Sequence, residues 1–422
     1  MRKIITIVAM VAALGLSANP MHKTCHISGD VTGRSESKEA VIIEADEDFR
    51  VVPSIKVPII DGHFSLQLSA DTVRQYQVLF DDEIRHGSWR SRYFFAEGDS
   101  VSLKADGEDK FMVISHSPEN RRAKAYDDLV EEKYGARRDS LDAEYERLEQ
   151  SGNLYAEPFK TIFLKAQAAK NDAERDSLMA EARKIQKNMN HDILSEACKK
   201  QQEGYDSLLA DMQKLQEDFV AENVSIYGLA VMKRKLIFLR SDKNGGKWAE
   251  IFKKNYADTL TWHPYSGYVS VLADGVSIVP GNLYPDYTLT RPDGTTEQVA
   301  SLIKGAPAVI DLWASWCGPC RRHSKELIPV YEKYAPFGFN VVAVAKEDAD
   351  LSAMNEAIAK DGYPWESFVD IADRDKIWAR NGCANAGGRI VLLDDQGRIV
   401  AVDPEIDAVA EYLKTFYADK GN

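Results

Sequence analysis

The chain has 422 residues, with 53 Lys and Arg against 66 Asp and Glu, which gives a formal net charge of −13. Phosphate backbones are bound by basic surfaces, so this acidic composition argues against a nucleic-acid-binding protein. A hydrophobic fraction of 44% is that of a globular protein, and a chain of this length should divide into two or three domains with separate cores.

The N-terminus has the pattern of a secretory signal peptide. Basic residues 2–3 are followed by an apolar run at 4–16 and by small residues at 17–18. We therefore predict a cleaved signal peptide at 1–18 and export to the periplasm or beyond the cell. No later segment comes near the roughly 20 consecutive apolar residues of a membrane helix, so we expect no transmembrane segment in the mature chain.

Residues 25–117 have the pattern of a β-sandwich-like domain, because short apolar or alternating runs are separated by turns rich in Gly and Asp. The runs are residues 41–43, 64–68, 76–80 and 101–103. The turns at 61–64, 94–99 and 117–120 resemble those of the β-rich domain of unknown function that precedes a thioredoxin domain in many exported Bacteroidetes proteins. That resemblance implies a position and a fold, without an activity.

Residues 118–280 contain few Gly or Pro and predict a helical region. Apolar residues repeat at i, i+4, i+7 and i+11 on one helix face: Leu208, Met212, Leu215 and Phe219. Such a stripe is typical of helices that pack on each other or on a neighbouring domain, and a partner-binding groove is the alternative. The sequence at 222–225 predicts the end of one helix and the start of another.

An apolar run that begins at Val309 stops at a Cys-x-x-Cys turn formed by Cys317 and Cys320, which predicts a buried strand followed by a helix. At a helix N-terminus, unpaired backbone N–H groups and the positive end of the helix dipole favour a thiolate. Cys317 is therefore the predicted attacking sulfur. Pro319 falls in the first turn, where its missing N–H costs nothing, and Cys320 lies close enough to close a disulfide and resolve the reaction.

Asp311 lies on the same predicted strand, six residues before Cys317. An isolated carboxylate in an apolar run is costly, so its presence calls for a reason. We interpret Asp311 as a proton acceptor for Cys320, and the alternative is a carboxylate that is hydrogen-bonded within the core.

The C-terminal region from 281 resembles the TlpA/ResA-like thioredoxin family. The resemblance rests on residues 282–289, on the turn 291–294 and on the Trp-Cys-Gly-Pro-Cys motif that follows a strand. It implies an α/β thioredoxin-like domain at 281–422, with strands at 341–345, 390–393 and 399–402. The family's functional positions carry over to Asp311, Trp316, Cys317, Gly318, Pro319 and Cys320.

The same resemblance implies a thiol-disulfide oxidoreductase that uses no metal or other cofactor. Its partners would be protein disulfide substrates and an upstream electron-donor thiol protein. Gly318 and Pro319 between the cysteines resemble the reducing members of the family, which favours a disulfide reductase.

Gly388 departs from the family pattern. Relatives place a cis-proline just before the hairpin strand, against the dithiol, where it exposes backbone for pairing with a substrate. Glycine permits unusual backbone geometry without fixing it, so we predict that Gly388 is a substrate-docking position with a looser backbone. The helix after Cys320 also has Lys325 where relatives have a proline, and Pro329 comes later.

The remaining cysteines have simpler interpretations. Cys383 is predicted to be a buried small side chain, with a third redox thiol as the alternative, and Cys198 is predicted to lie half-buried on a helix. Cys25 follows Lys and Thr instead of the small residues that precede a lipid-modified cysteine, so we expect no lipid anchor there. A zinc site would need Cys317, Cys320, His323 and the distant Cys383, and we expect no metal.

Two classes of function therefore remain at the level of the sequence. The first is an exported thiol-disulfide oxidoreductase, which the intact dithiol of Cys317 and Cys320 favours. The second is a partner-binding or scaffold protein whose thioredoxin domain is weakly active or vestigial, and Gly388 leaves this alternative open.

Overall fold

The computed structural model forms two compact units, Met1–Glu222 and Asn223–Asn422. It describes residues 7–8, 23–47, 49, 52–106, 110–238, 243–303, 305–348, 350–384 and 387–419. The predicted signal peptide, 1–18, lies outside the described residues except for Ile7–Val8.

The N-terminal unit begins with two β-sheets. Their strands are β1 (Ile7–Val8), β2 (Lys23–Asp30), β3 (Glu39–Glu44), β4 (Ile55–Pro58), β5 (His63–Ala70), β6 (Arg74–Phe80), β7 (Arg92–Ala96), β8 (Ser100–Asp106) and β9 (Lys110–Ser115). One sheet has the strand order β1-β5-β2-β8-β9 and the other has the order β4-β3-β6-β7. The short helix α1 (Asp81–His86) follows β6.

Both sheets contribute side chains to one hydrophobic cluster. Ile27 and Leu66 come from the first sheet, and Ile42 and Phe80 come from the second. Alternate residues of β5 point into this cluster, as expected for strands that are buried on one face. The four runs predicted from the sequence lie within β3, β5, β6 and β8.

Helices complete the N-terminal unit. They are α2 (Pro118–Gln150), α3 (Phe159–Gln167), α4 (Asp172–Asn188) and α5 (Glu196–Glu222). The side chain of Asn120 fixes the start of α2, because its amide pairs with both the N–H and the C=O of Phe95 on β7, each at 2.8 Å. The predicted apolar stripe of α5 faces α2, with the rings of Tyr126 and Phe219 at 5.5 Å and Leu208 buried.

The C-terminal unit opens with helices α6 (Ile226–Phe238), α7 (Lys243–Ile251), which continues as a π-helix at Phe252–Tyr256, and α8 (Pro264–Gly275). The rest of the unit is a sheet with flanking helices. Its strands are β10 (Thr288–Thr290), β11 (Thr296–Gln298), β12 (Ala308–Trp313), β13 (Asn340–Glu347), β14 (Ser367–Ile371), β15 (Ile390–Leu393) and β16 (Ile399–Val402). Its helices are α9 (Val299–Leu302), α10 (Gly318–Tyr334), α11 (Ser352–Asp361), α12 (Ile377–Arg380) and α13 (Ile406–Asp419), and a 3₁₀ turn at Ala335–Phe337 follows α10.

The strand order of this sheet is β11-β10-β14-β13-β12-β15-β16. Strand β12 is buried along its whole length and pairs parallel with β13 and antiparallel with β15. A parallel strand–helix–strand unit followed by a hairpin and a closing helix is the order expected from the sequence. The sheet also contains β14, which was not predicted from the sequence, because the buried Asp370 interrupts its short apolar run.

The boundary between the two compact units falls at Glu222, inside the region 118–280 that was predicted as one helical stretch. Helix α5 ends and α6 begins there, as the sequence at 222–225 predicts. Helices α6 to α8 therefore belong to the C-terminal unit, where α8 packs against α12. Among the described residues, no helix combines the length and the apolar character needed to cross a membrane.

Candidate redox site

The site lies where β12 ends and α10 begins. A tight turn, closed by the hydrogen bond from the Cys317 N–H to the carbonyl of Ala314 at 3.0 Å, leads from the strand to the helix. Cys317 is the N-cap residue of α10, and its sulfur accepts a hydrogen bond from the backbone N–H of Cys320 at 3.4 Å. The sulfur of Cys317 therefore sits at the positive end of the α10 dipole, which stabilises negative charge.

Cys317 and Cys320 form a disulfide in this structure, with their Cα atoms 5.3 Å apart. Both residues are buried, and Pro319 occupies the first turn of α10 as predicted. Trp316, just before Cys317, is 57% exposed, and its ring lies 5.8 Å from the ring of Trp378. The exposed ring of Trp316 therefore lies beside a disulfide bond of the kind that can be reduced and re-formed.

Asp311 is buried beneath this turn. Its Oδ2 accepts a hydrogen bond from Ser324 Oγ at 2.7 Å, and the same hydroxyl lies 3.1 Å from the carbonyl oxygen of Cys320. Burial raises the pKa of Asp311 to about 7, although the hydrogen bond from Ser324 opposes the rise. Asp311 and Cys320 both line one cavity of about 270 Å³. A carboxyl group with this pKa can exchange a proton near neutral pH.

Gly388 lies directly against the dithiol. Its N–H donates a hydrogen bond to Cys320 Sγ at 3.2 Å. A Cβ atom at this position would lie 1.7 Å from the carbonyl oxygen of Leu312, so no side chain fits there without moving the backbone. Glu157–Pro158 is the one cis peptide bond in the described parts of the chain, and the bond before Gly388 is therefore trans.

The neighbouring Gly387 is different. It is exposed, and a Cβ atom built on it would lie 3.8 Å from Cys317 Sγ, which is an ordinary contact distance. Residues 387 and 388 thus lie next to the two sulfurs, and Gly388 precedes the hairpin strand β15.

Arg389 holds this glycine pair in place. Its backbone N–H and C=O pair with the C=O and N–H of Leu312 at 3.0 and 2.9 Å. Its buried guanidinium donates to the backbone carbonyl of Asn381 at 2.7 Å and to the carboxylate of Asp403 at 3.2 Å. Arg389 was not predicted as a site residue, because a charged residue at the start of a strand gives no sign in the sequence that it is buried.

A second set of residues missed from the sequence fixes the turn before Cys317. The buried carboxylate of Glu347, at the end of β13, accepts hydrogen bonds from both the N–H and the Oγ of Ser315 at 2.7 Å. The carbonyl of Ser315 accepts from Arg321 Nη1 at 3.1 Å, and Arg321 Nε pairs with Asp361 at 2.6 Å. The hydrogen bond from Arg321 lowers the pKa of the Asp361 carboxyl, although burial opposes this effect. The turn is thus held by charged groups from both sides.

The four residues of the alternative zinc site have different bonding and different surroundings in the structure. Cys317 and Cys320 are joined in the disulfide, His323 is exposed at the cavity, and Cys383 is buried with its sulfur 3.3 Å from the carbonyl of Trp378. Across the described ranges there is no group of three or more His, Cys, Asp or Glu side chains that could hold a metal ion. Cys25 and Cys198 are both buried and not disulfide-bonded.

Residues 280–415 match the Redoxin family. A thioredoxin-like protein of Haemophilus influenzae is 30% identical over 106 residues, which are 25% of this chain and 59% of that protein. The thiol-disulfide oxidoreductase ResA of Bacillus thuringiensis is 25% identical over 88 residues, which are 21% of this chain and 50% of ResA. Among solved structures, the thioredoxin domain of a thiol-disulfide oxidoreductase from Bacteroides vulgatus is 24% identical and covers 33% of this chain and 99% of that domain, with a TM-score of 0.30.

The Redoxin match falls on the C-terminal part of the chain, which contains the turn between β12 and α10. The aligned segment spans about half the length of the two bacterial relatives. The family match and the disulfide at the N-terminus of α10 agree with the resemblance stated from the sequence. Residues 280–415 of this chain are therefore similar to redoxin domains and to TlpA/ResA-like thioredoxin-family proteins.

Proposed function

We propose that this protein is an exported thiol-disulfide oxidoreductase that reduces protein disulfides through Cys317 and Cys320. The observation that carries the proposal is the disulfide between these residues at the N-terminus of α10, beside a buried carboxyl group with a pKa of about 7. ResA and the thioredoxin domain from Bacteroides vulgatus carry the name thiol-disulfide oxidoreductase, and we extend that activity to this chain.

The proposed reaction has two exchange steps. In the reduced protein, the Cys317 thiolate attacks one sulfur of a substrate disulfide, and the other substrate sulfur leaves as a thiolate. Cys320 then loses its proton to Asp311 and attacks the sulfur of Cys317. This step forms the Cys317–Cys320 disulfide and releases the second substrate thiol. An upstream dithiol protein returns the pair to the reduced state.

We assign substrate docking to the surface around Gly387 and Gly388. Gly387 is exposed beside Cys317, and no hydrogen bond to its backbone groups occurs among the described residues. An extended substrate segment can pair with the backbone of an exposed glycine, while the exposed ring of Trp316 offers apolar contact. The proline of relatives is absent here, so Gly388 has to be held by its neighbours.

We interpret the two N-terminal sheets, which share one core, as the β-sandwich-like domain expected at 25–117, followed by the helical region and the thioredoxin-like domain. Export through a signal peptide at 1–18 remains part of the proposal. The buried position of Cys25 on β2 supports the expectation that this cysteine carries no lipid. The alternative function, a scaffold with a weakly active redox domain, rests on Gly388.

The first prediction tests the activity itself. The mature protein supplied with dithiothreitol should reduce insulin disulfides, and Cys317→Ser should lower the rate to that of dithiothreitol alone, because the attacking sulfur is gone. Turbidity of the precipitating insulin chains gives the rate. Cys383→Ala, which removes another buried thiol of the same domain, should keep the activity. Unchanged turnover in Cys317→Ser would end the oxidoreductase proposal and favour the scaffold.

The second prediction concerns the resolving step. Cys320→Ser should accumulate a mixed disulfide with the substrate, because attack by Cys317 survives while resolution does not. Mass spectrometry of the trapped complex should place the bond on Cys317. A bond on Cys383 would show that the thiols have been assigned in the wrong order.

The third prediction follows from the buried Asp311. Its pKa is raised from 3.8 to about 7, so the folded state keeps a proton that the unfolded chain releases near pH 4. This contribution to stability is fully present below about pH 4 and is lost as the pH rises to about 7. Asp311→Asn should therefore be more stable than the wild type above pH 7, by on the order of 2–4 kcal/mol.

The same variant should slow resolution. Asn cannot accept the proton of Cys320, so decay of the mixed disulfide near pH 7.5 should slow about tenfold or more. Stopped-flow Trp fluorescence measures the decay of the mixed disulfide, and urea unfolding from about pH 4 to above pH 7 measures the stability. Asp370→Asn is the matched control, because Asp370 is equally buried in the same sheet but binds the N–H groups of Asp375 and Ile377. If both variants slow resolution alike, Asp311 has no special role as a base.

The fourth prediction concerns the two adjacent glycines. Gly388→Ala should destabilise the domain by about 2 kcal/mol or more, because its Cβ would meet the Leu312 carbonyl at 1.7 Å. Gly388→Pro should be worse, since it also removes the N–H that bonds Cys320 Sγ. Gly387→Ala has room for its Cβ and should keep the wild-type stability. Thermal unfolding of the oxidised proteins gives the comparison, and equal melting temperatures for Gly388→Ala and the wild type would refute the close packing at this position.

A further inference from the structure

Helix α8 ends in direct contact with the backbone at the end of α12 and just after it. A Cβ atom on Gly275 would lie 2.4 Å from the carbonyl oxygen of Ala379 and 2.7 Å from the backbone nitrogen of Gly382. Those two atoms are joined by the hydrogen bond from the Gly382 N–H to the Ala379 carbonyl, at 3.0 Å. Any side chain at Gly275 would therefore push against this hydrogen bond, and glycine is the residue that fits.

Two further contacts tie α8 to α12 and to the residue that caps the start of α12. Arg380 Nη1 lies 3.4 Å from the carboxylate of Asp274, and the ammonium of Lys376 lies 5.6 Å from the centre of the Tyr268 ring. Gly275 has helical backbone geometry without a positive φ, so its backbone does not require glycine. Glycine is needed at this position only because the backbone of Ala379 and Gly382 lies so close.

The segment after α12 is linked in turn to the redox site. The backbone carbonyl of Asn381 accepts the 2.7 Å hydrogen bond from Arg389 Nη1. Asn381 is fully buried, and its side chain is bonded to the hydroxyl groups of Tyr284 and Tyr287. Because Arg389 follows Gly388, the position of Asn381 affects where the Gly388 N–H meets Cys320 Sγ.

We propose that Gly275 is a positioning residue for the redox site. Its contact with Ala379 and Gly382 sets the position of Asn381, through which Arg389 holds the glycine pair 387–388 against the dithiol. Helix α8 thus restricts the backbone of the loop from outside, whereas a proline ring would restrict it from within. The inference rests on the proposed function, because it assigns the glycine pair to docking of the protein substrate.

The physical reason lies in the freedom of glycine. A glycine pair has many more backbone states than a proline, so ordering it when a substrate binds costs conformational entropy. External contacts that restrict the loop before binding remove part of that cost. Loosening them should weaken substrate binding while leaving the Cys317 sulfur at the helix N-terminus as it was.

The test compares Gly275→Ala with Gly267→Ala in the full chain. Gly267 lies on the same helix, and a Cβ there would meet nothing within 4 Å, so this variant controls for the change from Gly to Ala. Gly275→Ala should raise the KM for insulin about 3- to 10-fold at similar kcat, a typical effect of changing one contact along a coupled path. The alkylation rate of reduced Cys317 by iodoacetamide should not change. Gly267→Ala should match the wild type in all three quantities.

Hydrogen exchange gives a readout that does not depend on activity. In Gly275→Ala, the peptide covering 387–393 should exchange about fivefold faster or more, and in Gly267→Ala it should not. If the wild type fails to reduce insulin, the proposed function fails, and exchange still decides whether α8 positions the loop. Unchanged exchange at 387–393 with a lowered melting temperature would show that Gly275 serves stability alone and would overturn the inference.

A milder variant covers the case in which Gly275→Ala does not fold. Asp274→Asn keeps the helix packed and weakens only its contact with Arg380, so exchange at 387–393 should rise about twofold. No rise in this variant, together with misfolding of Gly275→Ala, would also count against the inference.

Discussion

The backbone pairing of Leu312 with Arg389 is the contact on which the redox site depends. It joins β12, which carries Asp311 and leads to the dithiol, to the residues that enter β15. The two hydrogen bonds bring Gly388 so close to the Leu312 carbonyl that no Cβ fits between them. The geometry of the dithiol surface is therefore set by strand pairing deep in the sheet.

The surroundings of each carboxyl group near the dithiol turn decide whether that group can exchange a proton. Asp311 has one neutral hydrogen-bond donor and lies beneath the surface, so its pKa rises to about 7. Asp361 lies next to the guanidinium of Arg321, and its pKa falls below the ordinary value. One carboxyl can therefore exchange protons near neutral pH, while the other stays charged and helps to fix the turn at Ser315.

Much of the C-terminal domain could be predicted from the sequence, because its signals are local. The apolar run before Cys317, the capping position of that cysteine and Pro319 in the first turn all lie within a few residues of each other. The helix boundary at 222–225 was equally local. Strand β14 was missed because it contains a carboxylate, Asp370. The burial of Asp370 is stabilised by hydrogen bonds from backbone N–H groups that only the fold brings near.

The residues that support the site could not be predicted in this way. Glu347, Ser324 and Arg389 are ordinary polar residues in the sequence, and each one becomes informative only when it is buried against a partner. Ser324 carries a weak signal, since it follows Cys320 by four residues and so shares its helix face. Arg389 has no such signal, because Asn381 and Asp403 come from separate loops.

Helix α8 lies outside the region of family resemblance but inside the compact unit that contains the redox site. The sequence resemblance begins near residue 281, yet the compact unit begins at Asn223 and includes α6 to α8. A glycine loop needs partners to restrict it, and partners outside the resembling region can supply that restriction as well as a proline inside it. Helix α8, which lies before residue 281, contacts α12 and the residues just after it through Gly275 and Asp274. Because Asn381 in that stretch binds Arg389, α8 belongs physically to the redox domain.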